Sequence, residues 1–217
     1  MENRCDGKVD CQDTSDEINC NVLNIKGSYN KDISPPTLSN EGLVNIDVSI
    51  VMDTILKIDE IDEVFYLSFI LVTQWFDSRL IYNNLKRKID LNVLTPSQQV
   101  SIWSPQMIFD NTKSKKKSTL KDATVRILPN KNFTYEKADI ASTNNVYLFN
   151  GIENKIEISQ VYDIDFICKY NMLLYPFDTQ YCNMDFVLTA VLDNFCQLNV
   201  ANFSYTGPED LRQYFIR

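Results

Sequence analysis

From Val44 onward, hydrophobic and polar positions alternate. Val44, Ile46, Val48, Ile50 and Met52 fall on one side, and Asn45, Asp47, Ser49 and Asp53 on the other. Successive side chains of a strand point to opposite faces, so this segment predicts a half-buried strand. Phe65, Leu67, Phe69 and Leu71 repeat the pattern with Ile70 and Val72 opposite them, which predicts a more deeply buried strand. Ile156, Ile158, Tyr162, Ile164 and Phe166 alternate with Glu157, Ser159, Asp163 and Asp165. Ala123–Leu128, Asn145–Phe149 and a strand beginning Met184, Phe186, Leu188 are shorter candidates, and the tail Asp210–Arg217 reads as a strand cut short. Pro129-Asn130-Lys131 and Asn150-Gly151 mark turns. Residues 80–100 are less regular, with a short helical turn expected near Ser97-Gln98-Gln99. Many short strands with turn signals, and no long amphipathic helix pattern, indicate an all-β antiparallel sandwich or barrel.

A chain of 217 residues, 44% of them hydrophobic, can bury one sizeable β domain and carry a small appendage. The net charge of −8 argues against nucleic acid as partner, because phosphate binding needs a basic footprint. The basic run Lys113, Lys115, Lys116 and Lys117 reads as a solvated loop. Histidine is absent, which excludes His-based triads and His metal ligands. Asp163 and Asp165 share a strand face as a hydrolase's carboxylate pair would, but alternating acids on a solvated face are the ordinary explanation, and no enzyme is expected. No stretch reaches the ~18 apolar residues of a membrane span. Met1–Arg4 has no apolar run of a signal peptide. The expectation is a soluble chain, or a fragment of a longer protein whose targeting and membrane parts lie elsewhere.

Residues 1–20 are polar and cysteine-rich, 21–42 read as linker and lead-in with Ser34-Pro35-Pro36, and 43–217 hold the β pattern. The six cysteines form two clusters: Cys5, Cys11 and Cys20, then Cys168, Cys182 and Cys196. Sequons stand at Asn132 and Asn202, candidates for N-glycosylation. Each sequon alone is a weak signal; together with the motifs that follow, these features imply an oxidising, secretory compartment.

The first cluster, Cys5-Asp6-Gly7 through Asp10-Cys11 to Ser15-Asp16-Glu17 and Cys20, places four acidic side chains around two tight turns. Calcium takes six to eight oxygens, several from carboxylates. Taken alone, the segment is also readable as a disordered acidic stub. It resembles the second half of an LDL-receptor class A repeat. The resemblance implies calcium ligands at Asp6, Asp10, Asp16 and Glu17, backbone carbonyls at Asn3 and Lys8, and a Cys5–Cys20 disulfide that leaves Cys11 without its partner. Asn3 stands where that family usually has Trp, and the repeat's first three cysteines are missing.

Cys168 and Cys182 enclose thirteen residues, and a disulfide closing such a loop would contribute roughly 3 kcal/mol in the loop-entropy model. Alone, two cysteines at this spacing are a generic staple. Within them lies Tyr175-Pro176-Phe177-Asp178-Thr179-Gln180-Tyr181-Cys182. Upstream stand Trp75-Phe76-Asp77-Ser78-Arg79-Leu80 and Trp103-Ser104-Pro105. In this order the three motifs resemble those of the Cys-loop pentameric ligand-gated ion channels, with Gln106 where that family has aspartate. The resemblance covers roughly residues 28–217. It implies an immunoglobulin-like antiparallel β-sandwich that ends before the family's last hairpin, and a Cys168–Cys182 disulfide. It also implies that Tyr175, Pro176, Phe177 and Asp178 form a loop transmitting ligand binding to the pore. Trp75, Asp77 and Arg79 fall at period two on one strand face, so carboxylate and guanidinium can pair beside an indole. With Trp103 and Pro105 they are expected to be structural.

In that family ligands sit between adjacent subunits, often in an aromatic box that attracts cationic amines by ~0.5–2 kcal/mol per ring. Carried across, the box positions are Thr189, Ile70 and Asp110, with Phe109 beside the last, so the box is largely absent. An acetylcholine-like or serotonin-like pocket is not expected. Asp110 for an amine and Arg126 for an acid are the charged candidates. The expected whole is the extracellular domain of a subunit in a homo- or hetero-pentamer at the cell membrane, binding a small-molecule ligand, with pore helices beyond residue 217. The alternative is a secreted soluble ligand-binding protein of the same fold. Cys196 has no partner in the family pattern.

Overall fold

The alternating segments are strands. The computed structural model describes residues 8–14, 17, 20–37, 42–113, 119–130, 139–141, 146–175, 177–189, 192, 194–208, 210–211 and 214–215. Its strands are β1 (Leu23–Asn24), β2 (Val44–Asp59), β3 (Val64–Trp75), β4 (Ile81–Asn83), β5 (Met107–Phe109), β6 (Thr119–Leu128) and β7 (Asp139–Ala141). They continue as β8 (Val146–Asn150), β9 (Lys155–Ile167), β10 (Phe186–Leu188), β11 (Cys196–Tyr205), β12 (Asp210–Leu211) and β13 (Tyr214–Phe215). One helical turn, α1 (Pro96–Gln99), stands where expected. Thr95 caps it: its hydroxyl accepts from the Gln98 amide, the Gln98 side chain returns the bond, and Pro96 opens the first turn.

One layer is a five-stranded sheet in the order β11-β2-β3-β9-β6. The β2 and β3 strands bury the faces their patterns predict: Val44, Ile46, Val48 and Ile50 from one, Phe65, Leu67, Phe69 and Leu71 from the other. Facing them are a four-stranded sheet, β1-β4-β8-β7, and a two-stranded sheet, β5-β10. Leu23, Tyr82, Phe149, Phe109 and Leu188 from this second layer share a core with the five-stranded sheet. At ~1.5–3 kcal/mol for each fully buried large apolar side chain, this shared core is what holds the layers together. The lead-in segment is tied in as well, since β1 pairs with β4 and Leu23 is buried.

Four expectations need correction. The sandwich is not wholly antiparallel, because β11 runs parallel to β2 from Cys196↔Val44 to Tyr205↔Met52. The connection from β10 brings the chain back to the end of the sheet where β2 begins, a path no local pattern encodes. Second, Asp77 and Arg79 lie not on the strand but just after β3 ends at Trp75. There Leu80 N–H donates to the Asp77 carbonyl at 3.2 Å and closes a turn. Third, Glu157, on the polar side of the β9 alternation, is buried. Gln74 Nε2 (2.7 Å) and Arg126 Nε (2.5 Å), from the strands on either side, donate to its carboxylate and shut it from water. Fourth, the tail is two paired two-residue strands, β12 and β13, rather than one strand.

The turn after β8 needs glycine for a reason of space. A Cβ on Gly151 would collide with the Asp77 carbonyl oxygen and stand 2.9 Å from that of Leu80. The Gly151 amide donates to the Leu80 carbonyl at 3.0 Å, so the backbone cannot retreat without losing that bond.

Candidate functional site

Three segments meet at one end of the five-stranded sheet: the β2–β3 turn, residues 111–113, and the loop that follows β9. The Cys168 amide donates to the Glu63 carbonyl (2.8 Å), and Tyr170 Oη donates to the Val64 carbonyl (3.0 Å). The Ile167 amide donates to the Asn111 carbonyl (2.8 Å), and the Asn111 side chain clasps Asn183 O and Asp185 N. Lys113 Nζ reaches both the carbonyl and the carboxylate of Asp62 at 3.1 Å. Burial pushes the Tyr170 phenol up to about 12, aided by the Glu60 and Asp59 carboxylates. Neutral at ordinary pH, it serves as a hydrogen-bond donor.

The loop is closed by a Cys168–Cys182 disulfide with its Cα atoms 5.2 Å apart. Cys168 is buried in the core and anchors the loop. Across the loop, the Gln180 side chain accepts from the Asn171 amide (2.9 Å) and donates to the Asn171 carbonyl (2.8 Å), and it also donates to Asp178. This amide clasp and the disulfide hold the two arms side by side. Their tip carries apolar side chains outward: Leu173 is 88% and Phe177 91% exposed, with Leu174 and Tyr175 also exposed. Ile61, at the β2–β3 turn, is 95% exposed. Pro176 lies outside the described residues. Such a group of exposed large apolar side chains marks a surface meant to be covered.

A second knot ties the start of the fold together. Asp77, wholly buried, accepts from Arg79 Nε (2.8 Å), Arg79 Nη2 (2.7 Å), the Arg79 amide (3.1 Å) and Tyr29 Oη (3.0 Å). Arg79 Nη1 donates to the carbonyls of Ile33 (2.8 Å) and Asn30 (3.2 Å). Tyr29 Oη accepts from the Trp103 amide (2.9 Å). The expected carboxylate–guanidinium pair is present, but the ring over which Arg79 stacks is Tyr29, at 4.6 Å. Trp75 packs edge-to-face with Trp103 at 5.7 Å. Desolvation by burial pushes the Tyr29 phenol up to about 12. Desolvation works against the Arg79 charge, but the Asp77 carboxylate outweighs it and raises the guanidinium pKa.

The candidate ligand positions are not gathered into one pocket. Phe109 is buried in an aromatic cluster, edge-to-face with Phe69 (5.5 Å) and Tyr162 (5.1 Å). Asp110, next to it, is exposed, and its amide donates to the Asp185 carbonyl. Ile70 is half-buried on the outer face of β3, opposite Val161 and Val51. Arg126 is held by Glu157 and, at 3.5 Å, by Asp90. Thr189 is half-buried just past β10, its amide on the Gln106 carbonyl.

Residues 21–206 match the model of the neurotransmitter-gated ion-channel ligand-binding domain. The chain belongs to that family. It is similar to the glutamate-gated chloride channel subunit beta of Haemonchus contortus, 25% identical over 174 residues, which are 78% of this chain and 35% of that protein. A glutamate-gated chloride channel of Drosophila melanogaster is 23% identical over 161 residues, 73% of this chain and 30% of that protein. The chain thus spans about a third of the length of these relatives.

Within this ligand-binding domain, sequence reasoning missed Tyr29, Ile61 and the clasp made by Gln180. Ile61 had a signal: one large apolar residue between Asp59-Glu60 and Asp62-Glu63 has no core to enter. Tyr29 had none, since its partners stand 48 and 74 residues away. The family match begins at residue 21 and does not include the acidic N-terminal cluster. Asp6, Asp16, Asn3 and Cys5 lie outside the described residues, as does Asn132. Asp10 and Glu17 are described, Cys20 is half of a disulfide, and Cys11 is an exposed thiol. Among the described residues, no three His, Cys, Asp or Glu side chains stand together to hold a metal. Cys196 is a buried thiol on β11, pushed up to about 11 by burial.

Proposed function

We propose that this domain is the extracellular, ligand-binding part of one subunit of a pentameric ligand-gated channel, assembled from copies of itself or with related subunits at the cell membrane. It works by binding and movement, not by catalysis. The observation that carries this reading is the apolar tip of the disulfide loop, Leu173, Leu174, Tyr175 and Phe177, at the same end as Ile61. A protein wholly in water gains nothing from such a surface, whereas a membrane-embedded part of the same subunit would cover it. This weighs against the secreted soluble alternative.

Coupling follows from stiffness. The β9 strand runs thirteen residues, roughly 40 Å, from the Gln74–Glu157–Arg126 row directly into Cys168. A ligand seated at a subunit boundary changes a two-state equilibrium by its differential affinity for the two arrangements. A paired central strand ending in a clasped loop would carry that shift to the tip. Glutamate is the first ligand to test, since both relatives are named for it. Arg126, already engaged by two carboxylates, is not put forward as the group that would hold it.

The test is a full subunit expressed at a cell surface. Leu173→Ser with Phe177→Ser should retain surface expression and ligand binding but lose most ligand-evoked current. Wild-type currents from that variant would overturn the coupling role.

A further inference from the structure

The β11 strand forms one edge of the five-stranded sheet and, among the described residues, pairs only with β2. It is ten residues long. An open edge of that length offers a row of unpaired N–H and C=O groups on which another chain can build. Val200 (80% exposed) and Phe203 (58% exposed) make it apolar as well.

In the middle of this edge the register shifts. Val200 pairs with Val48 and Asn202 with Ser49, so Ala201 is the extra residue of a bulge. Asn202 follows it, on the face that Ser49 shares, turned away from the Ile46, Val48 and Ile50 core. It is exposed, and its side chain engages no partner among the described residues. Asparagine is depleted in strands. This one caps no helix and closes no turn, so the fold gives no reason for it. Asn202-Phe203-Ser204 is, however, an acceptor triplet for N-linked glycan.

We propose that Asn202 carries an N-linked glycan that shields the open β11 edge and keeps it from pairing with another chain. A bulky hydrophilic oligosaccharide on the outer face of an edge strand stands in the way of any strand approaching along that edge. The inference rests on the extracellular reading above, because glycan transfer occurs in the secretory pathway.

The experiment uses the full subunit made in eukaryotic cells. Peptides spanning 168–182 and Asn202 are mapped by mass spectrometry, with and without peptide-N-glycosidase. The expected result is a Cys168–Cys182 disulfide together with a glycan on Asn202 that is lost in both Asn202→Gln and Ser204→Ala. Both variants, and the wild-type protein after enzymatic deglycosylation, should show a several-fold larger fraction of off-pathway aggregate by size exclusion. A bare Asn202 in protein whose disulfide has formed overturns the proposal while sparing the extracellular reading. A glycan whose removal leaves aggregation unchanged overturns the shielding, and leaves a second copy or another segment as the cover of this edge. Reduced, unglycosylated, intracellular protein overturns both readings.

Discussion

At the scale of single residues, the Asp77 carboxylate is the point on which most depends. It is buried, and four donors converge on it from Tyr29 and Arg79. Removing one partner of a buried ion pair leaves the other uncompensated, at a cost of about 3–5 kcal/mol. Asp77→Ala should therefore lower the urea midpoint sharply, and it should also speed hydrogen exchange in residues 29–33, which Arg79 anchors through two carbonyls. A loss under 1 kcal/mol would show that the knot is decorative. The same knot sets a pH dependence. The Tyr29 phenol is pushed from an ordinary 10.0 up to about 12, and Tyr170 likewise. Above pH ~10 the unfolded chain ionises these phenols and the folded chain does not, so their contribution to stability is intact below pH 10 and lost as pH rises toward 12. Tyr29→Phe should flatten part of that alkaline decline in a urea-midpoint titration. Gly151 adds a steric constraint at this place, because it lets the β8–β9 turn close against the Asp77 backbone.

At the scale of elements, strands and loop differ in how they are held. The alternation of β2, β3 and β9 was plain in the chain because one face of each meets the core and the other does not. The disulfide loop has little core of its own. It depends on the Cys168–Cys182 bond and on the Gln180–Asn171 clasp. Breaking the disulfide with Cys182→Ala should cost roughly 3 kcal/mol in the loop-entropy model. Gln180→Ala should cost only about 1 kcal/mol. Its signature is local: faster exchange at the Asn171 amide, with the disulfide intact. If the Asn171 amide exchanges at the wild-type rate in Gln180→Ala, the clasp does not order the loop.

At the scale of the whole molecule, the aromatic cluster of Phe69, Phe109, Tyr162 and Phe166 joins the two layers. Phe69, Tyr162 and Phe166 come from the five-stranded sheet and Phe109 from the β5–β10 pair. Phe69→Ala should destabilise by about 3–5 kcal/mol and do so cooperatively, because the cavity opens between layers rather than within one. A loss much smaller than this, or two separate unfolding transitions, would mean that the layers do not share a core. The buried Glu157 belongs to this scale as well. Its Gln74 and Arg126 partners arrive from two neighbouring strands, so it rests on sheet order rather than on its own pattern of neighbours. Arg126, read from the chain as a possible ligand group, is engaged here as the half-exposed partner of the buried Glu157.

The chain by itself was enough to give the long strands β2, β3 and β9 with their buried faces, the short helical turn near residues 97–99, the three ordered motifs and the pair of cysteines around the loop. Each of these is written in neighbours two to fifteen positions apart. What only the folded molecule decided involves distant segments: β11 lying parallel on β2, Tyr29 closing over Asp77 and Trp103, Glu157 walled in by two strands, and Ile61 placed at the same end as the loop tip. Periodicity records which face of a strand is dry. It carries no record of which strand lies beside it, because pairing is settled by the summed burial and hydrogen bonding of segments that meet only once the chain has closed.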